Sequence, residues 1–330
     1  MKNIFRSALY AALVLIAGFA VMGVWNGVKN PSPADPNRHQ AAEPSGEEST
    51  DQVDPDSKEP NPPSEVPDEP IPDGAIAVVN RDLSCPTLGA SYLHNETAYD
   101  PNVSLLLQTD VSSPVTSEPL VLILHTHTSE SYLKKGQTYL TGDLGEATYS
   151  SDEEENMLAV GQELCKVLNQ KGITALHCTV MHDDPTLSGS YARALRSIEF
   201  YLTHYPSIRY VIDLHRDSVL TSDGEYIRAT ASDSEESVAQ MMAVVGSDGG
   251  GETNERWEGN LALALQLREE LNHAIPSVCR PVTLRNETYN QELAPYSLLI
   301  EVGTGGNCIE EALAAARLLG EALSNLIYGQ

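Results

Sequence analysis

Hydrophobic positions along the chain alternate between short continuous runs and longer stretches with helical spacing. Residues 120–124 and 210–214 are mostly apolar runs, which are typical of buried strands. Residues 153–171 carry apolar side chains three or four positions apart and are followed by Gly172, which predicts an amphipathic helix that ends there. The same patterns predict strands at 173–180 and 298–302 and helices at 188–202, 260–273 and 310–327. The alternation predicts an α/β fold, with a mainly parallel sheet flanked by helices on both faces.

A different pattern occupies the N-terminus. Lys2 and Arg6 precede an uncharged, mainly apolar run over residues 7–28. At ~1.5 Å of rise per residue, a helix of this length spans about 30 Å, the thickness of the hydrocarbon core of a bilayer. The sequence therefore predicts a cytoplasmic tip and transmembrane anchor over residues 1–29, with the rest of the chain outside. The alternative is a cleaved signal peptide, for which Gly18-Phe19-Ala20 offers a small-residue site.

Composition divides the remainder into a tether and a domain. Residues 31–74 hold eleven of the twenty prolines and twelve acids against two bases, and they contain no aromatic residue. Such a segment buries too little apolar surface to offset its conformational entropy. We therefore expect a disordered Pro-rich, acidic tether over residues 30–74 and one extracytoplasmic domain over residues 75–330.

Net charge and cysteine content argue against some classes of function, nucleic-acid binding among them. The formal net charge of −27 argues against nucleic acid as a partner, because phosphate backbones are bound by clustered Lys and Arg. Five cysteines are scattered without a CxxC motif, and we interpret them mainly as small core residues, with room for one disulfide that the sequence does not assign. The chain also lacks GxSxG, GxxxxGK[ST], HExxH and a GxGxxG that follows a strand.

Polar side chains stand at the carboxyl ends of three predicted strands, where open parallel sheets bind their ligands. His125 and His127 follow the first strand, His215 follows the second, and Glu301 interrupts the third. Neutral imidazoles and carboxylates are zinc ligands, and a catalytic zinc site combines three of them with one open position. The sequence therefore predicts a zinc site at this edge of the sheet.

The choice of ligands stays partly open. His215 is the strongest candidate. His125 and His127 are two residues apart and would share a side if the strand continued, so one is expected to bind metal and the other to orient it or the substrate. The expected third ligand is an acid among residues 152–155, with Glu153 as the candidate.

Glu301 follows three apolar residues, where an ionised carboxylate is costly to bury alone. A general base beside a metal site explains such a residue. The alternative is a structural ion pair with Arg216 or Arg285. A separate polar cluster, His182-Asp183-Asp184, is interpreted as a solvated loop.

Four segments, in this order, resemble the stage II sporulation protein P family: His125-Thr126-His127-Thr128-Ser129-Glu130-Ser131, Asp213-Leu214-His215-Arg216-Asp217, Tyr289-Asn290-Gln291 and Leu299-Ile300-Glu301-Val302-Gly303. The resemblance runs from about residue 120 to the C-terminus. It implies an enzyme similar to the zinc N-acetylmuramoyl-L-alanine amidases, with a helix-flanked sheet. The implied activity is removal of stem peptides from glycan strands, with cross-link endopeptidase activity also attributed to the family.

The resemblance also implies roles and a setting. His215 and one or both of His125 and His127 would hold zinc, and Glu301 would be the catalytic acid and base. Arg216 would steady the oxyanion or a substrate carboxylate, with the fixing of a nearby aspartate as the alternative. The implied setting is septal wall remodelling during engulfment, at the mother-cell membrane facing the septum. The implied partners are peptidoglycan, a stage II sporulation protein D-like lytic transglycosylase and a membrane scaffold.

Two other functions remain open from the sequence. One is a non-catalytic peptidoglycan-binding or scaffold protein with a structural or empty metal site. The other is a zinc carboxypeptidase or endopeptidase that cuts only peptide bonds.

Overall fold

A computed structural model describes residues 71–84, 92–142, 147–231 and 237–330. The predicted anchor over residues 1–29 and all but the last residues of the predicted tether lie outside this part of the chain. In the described residues, no helix combines the length and the apolar character needed to cross a membrane. Four of the five cysteines lie in these residues; all four are free thiols, and three of them are buried.

Ten strands and five helices are present in the described residues. The strands are β1 (Ile76–Arg81), β2 (Leu93–Asn95), β3 (Val121–Leu124), β4 (Tyr139–Leu140), β5 (Ala175–His177), β6 (Tyr210–Asp217), β7 (Tyr226–Ala229), β8 (Met241–Gly246), β9 (Val282–Arg285) and β10 (Tyr296–Thr304). The helices are α1 (Val103–Leu106), α2 (Met157–Gln170), α3 (Ser190–His204), α4 (Trp257–Ala274) and α5 (Ile309–Tyr328). The four helices predicted from periodicity correspond to α2 through α5. Helix α2 begins later than predicted because the Asn156 side chain accepts a hydrogen bond from the Leu158 N–H and caps the helix.

Seven strands form the main sheet in the order β2-β9-β8-β10-β6-β3-β5. Strands β10, β6, β3 and β5 are parallel neighbours, and β2, β9 and β8 form a second parallel group. The two groups meet at an antiparallel pair, β8 with β10. The mixed α/β architecture with flanking helices is confirmed, and the sheet is parallel apart from this one pairing.

The two faces of the main sheet are covered unequally. Helices α2, α4 and α5 pack on one face in the larger hydrophobic core, which includes Ile212 and Leu214 of β6. Helix α3 packs on the other face in a smaller core, which includes Val211. Because alternate residues of a strand point to opposite faces, Asp213 and His215 share the face of Val211. Apolar packing on the α3 side therefore gives way to polar side chains toward the carboxyl end of β6.

A second sheet, which periodicity did not predict, has three strands in the order β4-β1-β7. Strand β1 pairs parallel with β7 and antiparallel with β4. Leu133, Leu140 and Tyr226 form its small buried core. This sheet packs beside the carboxyl ends of β6 and β10, and it supports the loops that follow them.

Gly161 in α2 lets the helix approach two buried histidines. A Cβ atom at this position would lie 2.5 Å from Nε2 of both His125 and His177. We therefore expect Gly161→Ala to lower the free energy of unfolding by about 1–3 kcal/mol, despite the better helix propensity of alanine. The matched control is Gly259→Ala in α4, where the nearest atoms to a Cβ are at 3.9 and 4.0 Å. Urea unfolding should show Gly259→Ala to be neutral or stabilising, and equal effects of the two substitutions would contradict the packing argument.

Candidate metal centre

The turn after β3 is fixed to its surroundings by two buried carboxylates. Asp213 of β6 accepts hydrogen bonds from the backbone N–H of Thr126 at 2.8 Å and from its hydroxyl at 2.6 Å. Asp183 accepts from the backbone N–H of Ser129 at 2.9 Å and from its hydroxyl at 2.5 Å. These bonds hold both ends of the turn, so the side chains between and beside them have defined positions.

The turn separates the two histidines that the sequence left as alternatives. His125 is fully buried, with Nδ1 at 3.2 Å from the Leu214 carbonyl and Nε2 at 2.8 Å from Nε2 of His177. His127 is only partly buried, and its ring centre lies 5.2 Å from that of His215. The two side chains do not share a side, because β3 ends at Leu124 and the chain turns at once. The structure therefore brings His127, and not His125, together with His215.

Three carboxylates surround His215. Its Nε2 lies 3.1 Å from Oδ1 of Asp213, and its Nδ1 lies 3.7 Å from Oε2 of Glu130. The backbone N–H of Arg216 donates to Oε2 of Glu130 at 2.9 Å and holds this carboxylate in place. Glu301 of β10 is the register partner of His215, so the two side chains lie on the same face of the sheet.

The electrostatic environment separates the protonation states of these groups. Burial, followed by the charge of His215, lowers the pKa of His127 to about 3, which keeps its imidazole neutral. Burial also acts to lower the pKa of His215, but Asp213, Glu130 and Glu301 outweigh it and raise the pKa to about 10. Burial and the charge of Asp217 raise the pKa of Glu301 to about 8.

The chemistry of this cluster fits zinc. Within the described residues, no three His, Cys, Asp or Glu side chains are already arranged as a metal site. His127, Glu130 and, after loss of one proton, His215 nevertheless provide two imidazoles and one carboxylate, a set of ligands used by catalytic zinc sites. In addition, the buried Oε2 atom of Glu301 has no hydrogen-bond partner. A hydrogen-bond acceptor is therefore free beside the three candidate metal ligands.

Glu153, the sequence-predicted third ligand, is not part of this cluster. It is exposed in the turn before α2, a helix that packs on the opposite face of the sheet from Asp213 and His215. Its neighbour Glu155 pairs with Lys134 at 3.6 Å. The acid that the structure brings to the histidines is Glu130. The sequence contains one signal for Glu130 as a ligand: it lies three residues after His127, in the turn that follows the same strand.

The side chain of Arg216 lies on the opposite side of β6 from the side chain of His215. It is therefore not placed to steady an oxyanion at the metal centre, as the sequence had led us to expect. Successive strand residues face opposite sides, so the side chain of Arg216 points away from that of His215. Its Nη2 donates to the Thr148 carbonyl at 2.8 Å, and its guanidinium stacks over Tyr149 at 5.7 Å. Arg216 therefore contributes to the site through its backbone N–H, while its side chain fixes the neighbouring loop.

The ion pairs proposed as alternatives for Glu301 are also absent from the described residues. Arg280, and not Arg216, pairs with Asp217, at 2.8 Å. Arg285 lies 3.5 Å from Glu96.

His182 and Asp183 are buried, which corrects their interpretation as a solvated loop. Nδ1 of His182 lies 2.8 Å from the His125 carbonyl, and its Nε2 lies 2.8 Å from Oγ of Ser197. Together with the bonds that Ser129 donates to Asp183, these contacts hold the turn that carries His127 in place. The two residues therefore support the site from the side of α3.

Comparison with known proteins gives a family and one curated relative. A family model described as stage II sporulation protein P matches residues 27–324. The stage II sporulation protein P of Bacillus subtilis (strain 168) is 28% identical over 222 residues, which cover 63% of this chain and 51% of that protein. The chain thus spans about half the length of this relative.

Solved structures with a similar arrangement include two amidases. The CwlD amidase from Clostridioides difficile, in complex with the GerS lipoprotein, has a TM-score of 0.37 and 15% identity, covering 63% of this chain and 94% of that one. An N-acetylmuramoyl-L-alanine amidase from Clostridium difficile 630 has a TM-score of 0.38 and 15% identity, covering 65% and 97%.

The protonation of His215 predicts how stability depends on pH when metal is removed. A pKa raised from 6.5 to about 10 means that the folded state binds more protons than the unfolded state between these values. The raised pKa of Glu301 acts in the same direction up to about pH 8. Stability should therefore fall as pH rises from 7 to 9, by about 1.4 kcal/mol per pH unit for each proton.

Urea unfolding in the presence of a chelator measures this dependence. His215→Asn should flatten it, whereas His273→Asn, at an exposed position of α4, should leave it as in the wild type. Stability that is constant or rises over this range would contradict the assigned protonation of His215.

Proposed function

Because the chain belongs to the stage II sporulation protein P family, we propose that it is a zinc-dependent peptidoglycan hydrolase that cleaves the N-acetylmuramoyl-L-alanine amide bond. The observation that carries this proposal is the convergence of four side chains from three strand ends. His127 and Glu130 come from the turn after β3, His215 from β6 and Glu301 from β10. Two imidazoles and two carboxylates in one half-buried cluster are the groups that hydrolysis at a zinc centre needs.

His127, Glu130 and His215 are the proposed zinc ligands. The low pKa of His127 supplies a neutral imidazole, and Asp213 stands behind His215 and orients its ring. When bound, zinc supplies Lewis acidity that polarises a carbonyl oxygen and lowers the pKa of water toward about 7.

Glu301 is the proposed acid and base. As the oxygen of a water molecule attacks the amide carbon, Oε2 of Glu301 takes its proton, and the same carboxyl then gives a proton to the departing amine nitrogen. The C–N bond breaks, leaving a carboxylate on the lactyl group and a free amino group on the stem peptide. A pKa raised to about 8 makes this carboxyl group a better match to proton transfer near neutral pH than an ordinary glutamate, whose pKa is 4.5.

The setting of the whole protein is part of the proposal. Residues 1–29 would anchor the chain in the mother-cell membrane, and residues 30–74 would let the domain over residues 75–330 reach the septal wall. A lytic transglycosylase and a membrane scaffold would act beside it, because removal of stem peptides and cleavage of glycan strands are complementary steps. Cross-link endopeptidase activity would be a second use of the same centre.

Glu130 and Glu153 provide a direct test of the ligand assignment. Glu130→Gln removes a buried carboxylate beside His215, and we expect it to weaken zinc binding by at least about 100-fold. Glu153→Gln, at an exposed position, should bind zinc as the wild type does. Zinc competition titrations compare the two variants, and equal affinities would remove Glu130 from the site.

The activity itself is tested on purified sacculi with the full-length protein in detergent. The wild type should release stem peptides with new L-alanine amino ends, identified by mass spectrometry. Glu301→Gln should bind zinc and sacculi normally but release product about 100-fold more slowly or worse, because the proton acceptor is lost. Binding by both proteins without release by either would instead favour the non-catalytic wall-binding function.

A further inference from the structure

Tyr191 stands at the edge of the metal centre, and the proposed mechanism gives it no role. It is the second residue of α3, and its ring meets the ring of His127 edge-on, with centres 5.7 Å apart at 88°. The side chain is only partly buried, so part of Tyr191 is exposed beside His127. Tyr191 therefore borders the cluster.

A separate loop holds Tyr191 in this position. The side-chain amide of Asn290 donates to the Tyr191 carbonyl at 3.0 Å, and the ring of Tyr289 lies 6.0 Å from the ring of Tyr191. Gln291 ties the loop to β8, accepting from the Gly246 N–H at 2.8 Å and donating to the Val244 carbonyl at 2.9 Å. The Tyr289-Asn290-Gln291 motif thus contacts Tyr191 and links it to β8.

The backbone of this loop indicates that its geometry is imposed. Tyr289 and Asn290 have φ values of 54° and 59°, a region that is unusual for two successive residues with side chains. Such conformations persist only where surrounding contacts determine them, and they cluster at functional sites. The contacts in question are those of Asn290 and Gln291.

The hydroxyl of Tyr191 is a free hydrogen-bond donor. In the part of the chain that the structure describes, it has no hydrogen-bond partner. A phenol hydroxyl can donate one hydrogen bond, so this group is able to donate to a ligand.

Neighbouring donors are already engaged. The side chain of Arg216 is bonded on the other face of the sheet. Arg193 donates to the carbonyls of His182 and Thr186, and the hydroxyl of Ser190 donates to the Leu187 carbonyl. Of these side chains and Tyr191, the Tyr191 hydroxyl is the one left without a partner in the described residues, so it can donate to a negative charge that develops at this centre.

We propose that the hydroxyl of Tyr191 donates a hydrogen bond to the carbonyl oxygen of the scissile amide as negative charge develops on it. This inference rests on the proposed hydrolase function and adds a catalytic residue to it. Asn290 is then a positioning residue, which acts by fixing the backbone of Tyr191. A donor of this kind contributes mainly to the transition state, so its loss should reduce kcat more than it changes KM.

Tyr191→Phe separates this role from simple packing, because it keeps the ring against His127 and removes only the hydroxyl. With a soluble N-acetylmuramoyl-peptide as substrate, we expect kcat to fall about 100-fold or more, while KM and zinc content stay within about two-fold of the wild type. The matched control, Tyr205→Phe, changes a tyrosine just beyond the other end of α3 and should leave all three quantities unchanged.

A second variant tests the positioning role. Asn290→Gly removes the amide that holds Tyr191 but tolerates the positive φ at this position. It should lower kcat about 10-fold with zinc content unchanged, because a small misplacement of a catalytic group is costly.

Three results would overturn the inference. A kcat for Tyr191→Phe within two-fold of the wild type would show that the hydroxyl is not used. Loss of zinc from the same variant would show that Tyr191 acts only by supporting His127. If the wild type binds zinc but cleaves no substrate, the proposed function fails, and the inference fails with it.

Discussion

The site depends on one buried carboxylate, Asp213, and on the three groups around it. Its two oxygens accept from the Thr126 N–H and hydroxyl, and Oδ1 also lies 3.1 Å from Nε2 of His215. Burial alone would raise the pKa of Asp213, but the charge of His215 and these hydrogen bonds outweigh it and lower the pKa. Asp213 therefore stays ionised and joins the turn after β3 to strand β6. Together with the bonds from Ser129 to Asp183 and from the Arg216 N–H to Glu130, this link sets the distances from His127 and Glu130 to His215.

Unequal cover of the two sheet faces makes room for this polar centre. Three helices bury one face, on which β6 and β10 present apolar side chains such as Ile212, Leu214, Leu298 and Ile300. On the other face α3 provides a short apolar patch, beyond which Asp213, His215 and Glu301 replace hydrophobic side chains. Stability and chemistry are thus carried by different faces of the same strands. This division explains how so many ionisable groups are tolerated next to a well-packed core.

The sequence predicted what depends on periodicity and on strand ends. Helices α2 through α5 and the central strands have strong repeating patterns, and His215 and Glu301 lie next to one another because parallel strands align their carboxyl ends. The three-stranded sheet was missed because β4 has only two residues and β1 carries no clear alternation. The choice between His125 and His127 depended on where β3 ends, and Glu130 lies in a turn whose path is set by Asp213 and Asp183. The side of Arg216 could have been predicted, since it directly follows His215 in a strand.

The hydrogen bonds that hold the turn after β3 join residues that are far apart in the sequence, and this affects when the site forms during folding. Thr126 and Asp213 are 87 residues apart in the chain, and Ser129 and Asp183 are 54 apart. Contacts this distant form late, because the entropy of closing the intervening loops is lost before they are gained. An unfolded chain therefore offers no ready-made ligand set, and metal affinity should appear only as the sheet closes. A zinc ion at the proposed site would therefore stabilise the folded chain relative to the unfolded one.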